Sequence, residues 1–434
     1  MQIFLRRALT LMLLSGSAAA QLRLPALPLP ALPLQAPVQA LQGAAQSVGS
    51  LSDVRHLEID RLLRVNRRVL ERDPNGDPIV RSEILALSPS EAVIDRARSM
   101  NFVIAREQAI DSINIRLVVW RAPDSLSTKK AMRMLRDADP SGTYDYNHIY
   151  FGSGAPPAAS SGLTAQNSVP QSQAATVSHA FKLRLGLLDT GIDTNHPAFH
   201  GSLLHTWGCD DKLVPAAHGT AVASLMVGRT RDFHGVEPDA ELFAADVFCG
   251  QPTGGAADAL VAGLGWLVQE QVPVINISLV GAKNSLLESV IARLIGAGFI
   301  VVAAVGNDGP AAPPLYPASY PNVVGVTAVD VHNRVLVEAA RGPQVMFASP
   351  GADLAAASLG NGYSAVRGTS FAAPFVAGLL AANLRSPNRN DAAAAVEALA
   401  KTAIDLGSPG RDLTYGYGLV GGEYRVDPAA LIRR

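Results

Sequence analysis

"RLGLLDTG", residues 184–191, sets an arginine ahead of four apolar or glycine positions and closes them with Asp189. Stretches of the same texture recur downstream as "AELFAADVF" (240–248), "VPVINISL" (272–279), "FIVVAAVG" (299–306) and "VVGVTAV" (323–329). Strands this uniformly apolar are buried on both faces, as in a parallel sheet. Between them lie helical stretches, "TAVASLMVG", "DALVAGLGWLVQ" and "LLESVIARLIGAG". Right-handed crossovers place such helices on both faces of the sheet. The fold class expected from residue 181 onward is therefore α/β, a doubly wound, mostly parallel sheet. Sites in such folds form beyond the carboxyl ends of the strands.

Polar residues stand at those ends. A carboxylate closing an apolar strand is costly unless it is satisfied, and Asp189 closes the first. His218 opens "HGTAVASLMVG" at a helix start, Asn307 ends "VVAAVGNDG", and Ser370 sits in "RGTSFAAPFVAGLLAA", 367–382. Each alone has a plain structural reading: a turn Asp or Asn, a satisfied His, a capping Ser. Together, the chain order Asp, His, Ser is one of the known orders of a catalytic triad.

Upstream the texture differs. "MQIFLRRALTLMLLSGSAAAQ" has a basic start, a short apolar run and a small-residue cleavage pattern, so residues 1–20 read as a signal peptide and the chain as exported, secreted or periplasmic. Residues 21–50 carry closely spaced prolines and suit an extended spacer. Residues 51–151 order as β-α-β-β-α-β, a small α+β ferredoxin-like domain. In it Ser88, Pro89 and Glu91 spell a capping box, and Met132 and Leu135 turn inward from the second helix. Residues 152–180, rich in Gly, Ser, Ala, Pro and Gln, read as a linker before the domain at 181–434. The 434 residues carry a net charge of −1, so no bulk field points to nucleic acid or an anionic membrane. No later segment has eighteen continuous apolar residues.

On "LLDTGIDTNHPAF", "HGTAVASLMVG", "AAVGNDG", "GTSFAAPFVAG" and "YGYGLVGGE", the chain resembles the subtilases, the subtilisin-like serine peptidases, from Phe181 to about Glu423. The resemblance implies Ser370 as nucleophile, His218 as base and then acid, Asp189 as the group orienting the imidazole, and the Asn307 amide with the Ser370 N–H as oxyanion donors. It implies Ser278, Leu279, Val280 and Gly281 as the segment pairing with substrate backbone, and Ala303 to Gly306 as the facing wall of the pocket before the scissile bond. Val280 stands where the family usually has glycine, Ala221 where it has a second His, and Phe371 where it has Met. The small domain resembles the family's propeptide. A cut is expected between about Tyr150 and Ser161, with Tyr150 as the residue before the broken bond.

The resulting expectation is an exported serine endopeptidase made as a self-processing zymogen. It would act on protein or peptide substrates, bind its own propeptide, need no cofactor and be a monomer. The alternative is a chain of the same fold that cleaves only itself or binds peptides. Asp232 alone makes no calcium site, and His196, His200, His205 and Cys209 fit no standard zinc spacing, so no metal is expected. Cys209 and Cys249 are the only cysteines, and in an exported chain an even count favours a disulfide.

Overall fold

The structure is a computed structural model and describes residues 51–152 and 182–432. The expected signal peptide, spacer and linker lie outside the described residues, apart from Gly152.

The larger lobe is built on β6 (Arg184–Asp189), β8 (Glu241–Asp246), β10 (Val274–Ile277), β12 (Ile300–Ala304), β13 (Val324–Val329) and β14 (Val345–Pro350), with β7 (Leu203–Trp207) on the edge. The sheet order is β14-β13-β12-β10-β6-β8-β7, and every neighbouring pair is parallel. Both faces are buried, as the unbroken apolar runs require. Leu185 and Leu187 of β6 pack with α4 (Ala217–Val227) and α7 (Ala373–Ala381) on one side. Leu188 packs with α5 (Ala257–Gln269) and α6 (Ser285–Gly296) on the other. Because side chains alternate along a strand, a run without polar breaks feeds both cores at once.

The smaller lobe holds α1 (Leu51–Val65), β1 (Leu70–Arg72), β2 (Pro78–Leu87), α2 (Glu91–Ser99), β3 (Val103–Ile110), β4 (Ile115–Arg121), α3 (Thr128–Ala138) and β5 (Thr143–Gly152). The strand order β5-β2-β4-β3 is antiparallel throughout. One face of this sheet packs on α2 and α3, with Met132 and Leu135 buried as expected. Its other face lays Leu85, Ile110, Ile115, Leu117 and Val119 on α5 and α6, so that they share the larger lobe's second core.

Two features differ from expectation. The cap of α2 is Ser90, whose Oγ accepts the Val93 N–H, and not Ser88. Ser88 still belongs to the sheet edge: it exchanges bonds with Arg116 and sits at φ 49°. Helix α1 was not foreseen. Its Ile59, Leu62 and Leu63 cover Leu70 and Ile149 from outside the sheet.

Candidate functional site

The site lies at the carboxyl ends of β6, β10 and β12, and local structure puts each side chain there. Asp189 is the last residue of β6 and is fully buried. Its Oδ1 accepts the Thr190 N–H at 2.6 Å and faces His218 Nδ1 at 2.7 Å. His218 occupies the first turn of α4. That turn is strapped to the β6 end by Gly219 N–H donating to Thr190 Oγ1 at 2.8 Å and Ala216 N–H donating to Gly191 O at 3.0 Å. The approach is close enough to demand glycine: a Cβ on Gly219 would stand 2.2 Å from Thr190 O.

With Nδ1 turned to a carboxylate, the neutral imidazole keeps its proton there and presents a lone pair at Nε2. Nε2 is buried and has no hydrogen-bond partner among the described residues. Gly152, the last residue of β5, lies against that edge of the ring. A Cβ on Gly152 would stand 3.3 Å from Nε2.

Ser370 sits on a short 3-10 turn, Thr369–Phe371, ahead of α7 rather than within its first turn. Gly368 at φ 137° delivers the chain into that turn, a conformation that favours glycine. Ser370 Oγ donates to Ser278 O at 3.0 Å, and Ser278 Oγ donates to Ser370 O at 2.9 Å. Asn276 Nδ2 fixes the Ser278 hydroxyl at 2.8 Å. The Phe371 ring lies 5.4 Å from the His218 ring, centroid to centroid. Asn307 follows β12 and joins the same turn, its Oδ1 accepting the Thr369 N–H at 3.1 Å. The Gly306 N–H donates to Thr369 Oγ1, also at 3.1 Å. All four expected polar residues are thus brought to one end of the sheet.

Two further ion pairs brace this region, and sequence reasoning missed both. Arg367, beside the Ser370 turn, makes a two-pronged pair with Glu338 at 2.6 and 2.9 Å. The Glu338 carbonyl in turn accepts the Gly309 N–H of the Asn307 loop. Arg55 of α1 reaches Asp308 at 3.0 Å, with both side chains largely buried. Burial pushes the Asp308 pKa up, against the pull of Arg55. The only advance signal for either pair was a charge next to a catalytic-looking motif.

The groove is defined by strand pairing. β11 (Leu279–Val280) pairs antiparallel with β5, placing Leu279 opposite Gly152 and Val280 opposite Phe151. On the other side β9 (Gly255–Ala256) pairs with β5, Gly255 opposite Tyr150 and Ala256 opposite Ile149. The smaller lobe's last strand is therefore clamped between two edges of the larger lobe. Tyr150 does not reach the Ser370 turn, because Phe151 and Gly152 follow it along β11 before the chain meets His218. Of the facing segment, Ala303 is buried within β12, in register with Ile277, and Gly306 at φ 102° leads into Asn307.

Cys209 and Cys249 are bridged, with Cα atoms 5.1 Å apart. Asp246 accepts the Phe248 and Cys249 N–H groups at 2.9 Å and places Oδ2 3.2 Å from Cys209 Sγ. The bridged sulfurs carry no thiol proton and offer no thiolate, so this grouping is not a metal ligand set. Burial, with Asp189 adding to it, raises the Asp246 pKa. The histidines weighed for zinc go separate ways. His196 Nε2 meets Gly362 O at 2.8 Å while its Nδ1 accepts the Ala198 N–H, and His205 stacks on Phe243.

The subtilase family profile matches residues 182–418, more than half of the chain. The chain belongs to the subtilase family. It is 31% identical over 246 residues to subtilisin DY of Bacillus licheniformis, covering 55% of this chain and 88% of that one. It is 28% identical over 245 residues to the minor extracellular protease Epr of Bacillus subtilis (strain 168), a match spanning 55% of this chain and only 37% of Epr. Among solved structures it is similar in fold to fervidolysin from Fervidobacterium pennivorans, with a TM-score of 0.64, 20% identity, and coverage of 83% of this chain and 62% of that one. This subtilase carries a mixed α/β fold with a parallel seven-stranded sheet. Among the described residues no helix is long and apolar enough to cross a membrane.

Proposed function

We propose that this subtilase is an exported serine endopeptidase made as a zymogen that cuts itself. One observation carries the reading: β5 is held between β9 and β11 like a bound peptide, and it ends with Gly152 against the unpartnered Nε2 of His218. Backbone pairing on both sides recognises an extended chain whatever its side chains, as a peptidase groove requires. The smaller lobe is then the propeptide, and its cut falls beyond Gly152.

In this mechanism Ser370 Oγ turns from Ser278 O toward Nε2 of His218, which takes its proton as Oγ bonds to the scissile carbonyl carbon. Asp189, already paired with Nδ1–H, holds the tautomer and stabilises the imidazolium without taking the proton. The carbonyl oxygen becomes an oxyanion, met by the Asn307 amide and the Ser370 N–H. Collapse expels the amine, which leaves with the proton from Nε2. Water then repeats the sequence on the acyl-enzyme: its proton passes to Nε2, its oxygen to the carbonyl carbon, and Ser370 recovers its hydrogen. The bond from Ser278 Oγ to Ser370 O and that from the Thr369 N–H to Asn307 Oδ1 keep the turn that carries the nucleophile placed beforehand.

The test is self-processing. Wild type is expected to split into propeptide and mature chain, with the new N-terminus between residues 153 and 161, and to label with a fluorophosphonate at Ser370. The Ser370→Ala variant, purified from a host lacking other proteases, should stay uncut once any leader is removed. Processing of that variant at the wild-type rate would end the proposal.

A further inference from the structure

Asn307 stands between two permissive joints. Gly306 at φ 102° and Gly309 at φ 98° flank Asn307 and Asp308, and glycine lets the chain turn freely at both. The ends of this loop are pinned from outside, by residues 338–340. The Ala340 N–H donates to Gly306 O at 3.0 Å, and the Gly309 N–H donates to Glu338 O at 2.8 Å. The Glu338 side chain grips a different segment. Both of its carboxylate oxygens are taken by the Arg367 guanidinium, at 2.6 and 2.9 Å, and the carboxylate is buried. Arg367 lies three residues before Ser370, at the entry to the Ser370 turn. Glu338 is therefore bonded to the Asn307 loop by its main chain and to the Ser370 turn by its side chain.

We propose that Glu338 and Arg367 are the positioning pair of the oxyanion hole, fixing the spacing between its two donors, the Asn307 amide and the Ser370 N–H. One donor rides on each of the two segments that the pair joins, and neither Glu338 nor Arg367 touches the reacting atoms. Thr369 links the same segments directly, its N–H donating to Asn307 Oδ1 and its Oγ1 accepting the Gly306 N–H, both at 3.1 Å. Those bonds are neutral, whereas each bond of the ion pair is charge-assisted and roughly twice as strong. The guanidinium fork also fixes direction as well as distance, which a lysine ammonium does not. The donors are called on only when the carbonyl oxygen becomes an oxyanion. Substrate backbone is held elsewhere, by the strand pairing at β9 and β11. Loosening the pair therefore slows the chemical step and leaves binding alone.

The inference rests on the peptidase reading, and the experiment separates the two. The readout is the first-order decay of full-length precursor, where the scissile segment is already seated, so the constant reports chemistry and not binding. Arg367→Met is expected to slow decay about tenfold, and Arg367→Lys, which keeps the charge but loses the fork, about threefold. Asn307→Ala alone should slow it about a hundredfold or more. Adding Arg367→Met to Asn307→Ala should then cost less than about twofold, because the donor being positioned is gone. A merely structural brace would cost the same tenfold in both backgrounds, and that result overturns the inference. Decay of both Arg367 variants at the wild-type rate overturns it too, and in either case the peptidase reading stands. Absence of both decay and fluorophosphonate labelling in wild type overturns the peptidase reading and the inference with it. Should Arg367→Met fail to fold because the Glu338 carboxylate is left buried without its partner, Arg367→Met combined with Glu338→Gln takes its place in the same cycle, under the same criteria.

Discussion

Replacing Gly219 with alanine tests whether the strap between β6 and α4 sets the catalytic geometry. The added Cβ would lie 2.2 Å from Thr190 O and 2.8 Å from Gly191 O, both backbone atoms that cannot rotate away. Relieving the first contact to ordinary van der Waals distance requires a shift on the order of 1 Å in the first turn of α4. Such a shift would break the 2.8 Å bond from Gly219 N–H to Thr190 Oγ1 and stretch the 2.7 Å contact of His218 Nδ1 with Asp189 Oδ1. A misplacement of about 1 Å in a catalytic group costs on the order of a hundredfold in rate, or about 2.7 kcal/mol of barrier. The overpacking itself should cost about 1–3 kcal/mol of stability, small enough for the chain to fold. The assays are the half-time of precursor decay and the rate of fluorophosphonate labelling, with thermal unfolding as the control. A Gly219→Ala protein that folds normally and processes itself within threefold of wild type would refute the reasoning.

Two further outcomes follow from the same structure. Removing the bridge with Cys209→Ser and Cys249→Ser together should lower unfolding stability by about 3–4 kcal/mol, from the chain entropy released over a separation of 40 residues; denaturant titration in the Ser370→Ala background, which prevents autolysis, reads it, and a change under 1 kcal/mol would count against a structural role. Burial lowers the His196 pKa below its ordinary 6.5, so the unfolded chain binds the proton first. Stability should therefore be full above about pH 6.5 and decline as pH falls toward the folded-state pKa; a His196→Gln variant in the same background should show a flatter dependence between pH 5 and 7, and an unchanged slope would remove His196 as the cause.

Much of this protein is legible from sequence because its signals are local. Unbroken apolar runs ending in Asp189 or leading to Asn307 report a sheet buried on both faces, and composition alone forces that. The short strings around His218 and Ser370 announce a site because close approaches such as Gly219 on Thr190 leave only one residue type possible. Chain position could not supply what depends on partners far away. The cap of α2 moved from Ser88 to Ser90 because Arg116, on another strand, claims Ser88 for the ladder. Helix α1 was invisible because its apolar residues have no meaning until β5 gives them Ile149 to cover. Arg367 and Glu338 lie 29 residues apart, and only the fold makes them neighbours. Tyr150 reads in sequence as one aromatic in a strand of aromatics. Tertiary register decides its place: pairing with β9 and β11 fixes which residue faces Gly255 and which meets His218, and an antiparallel ladder permits one alignment at a time.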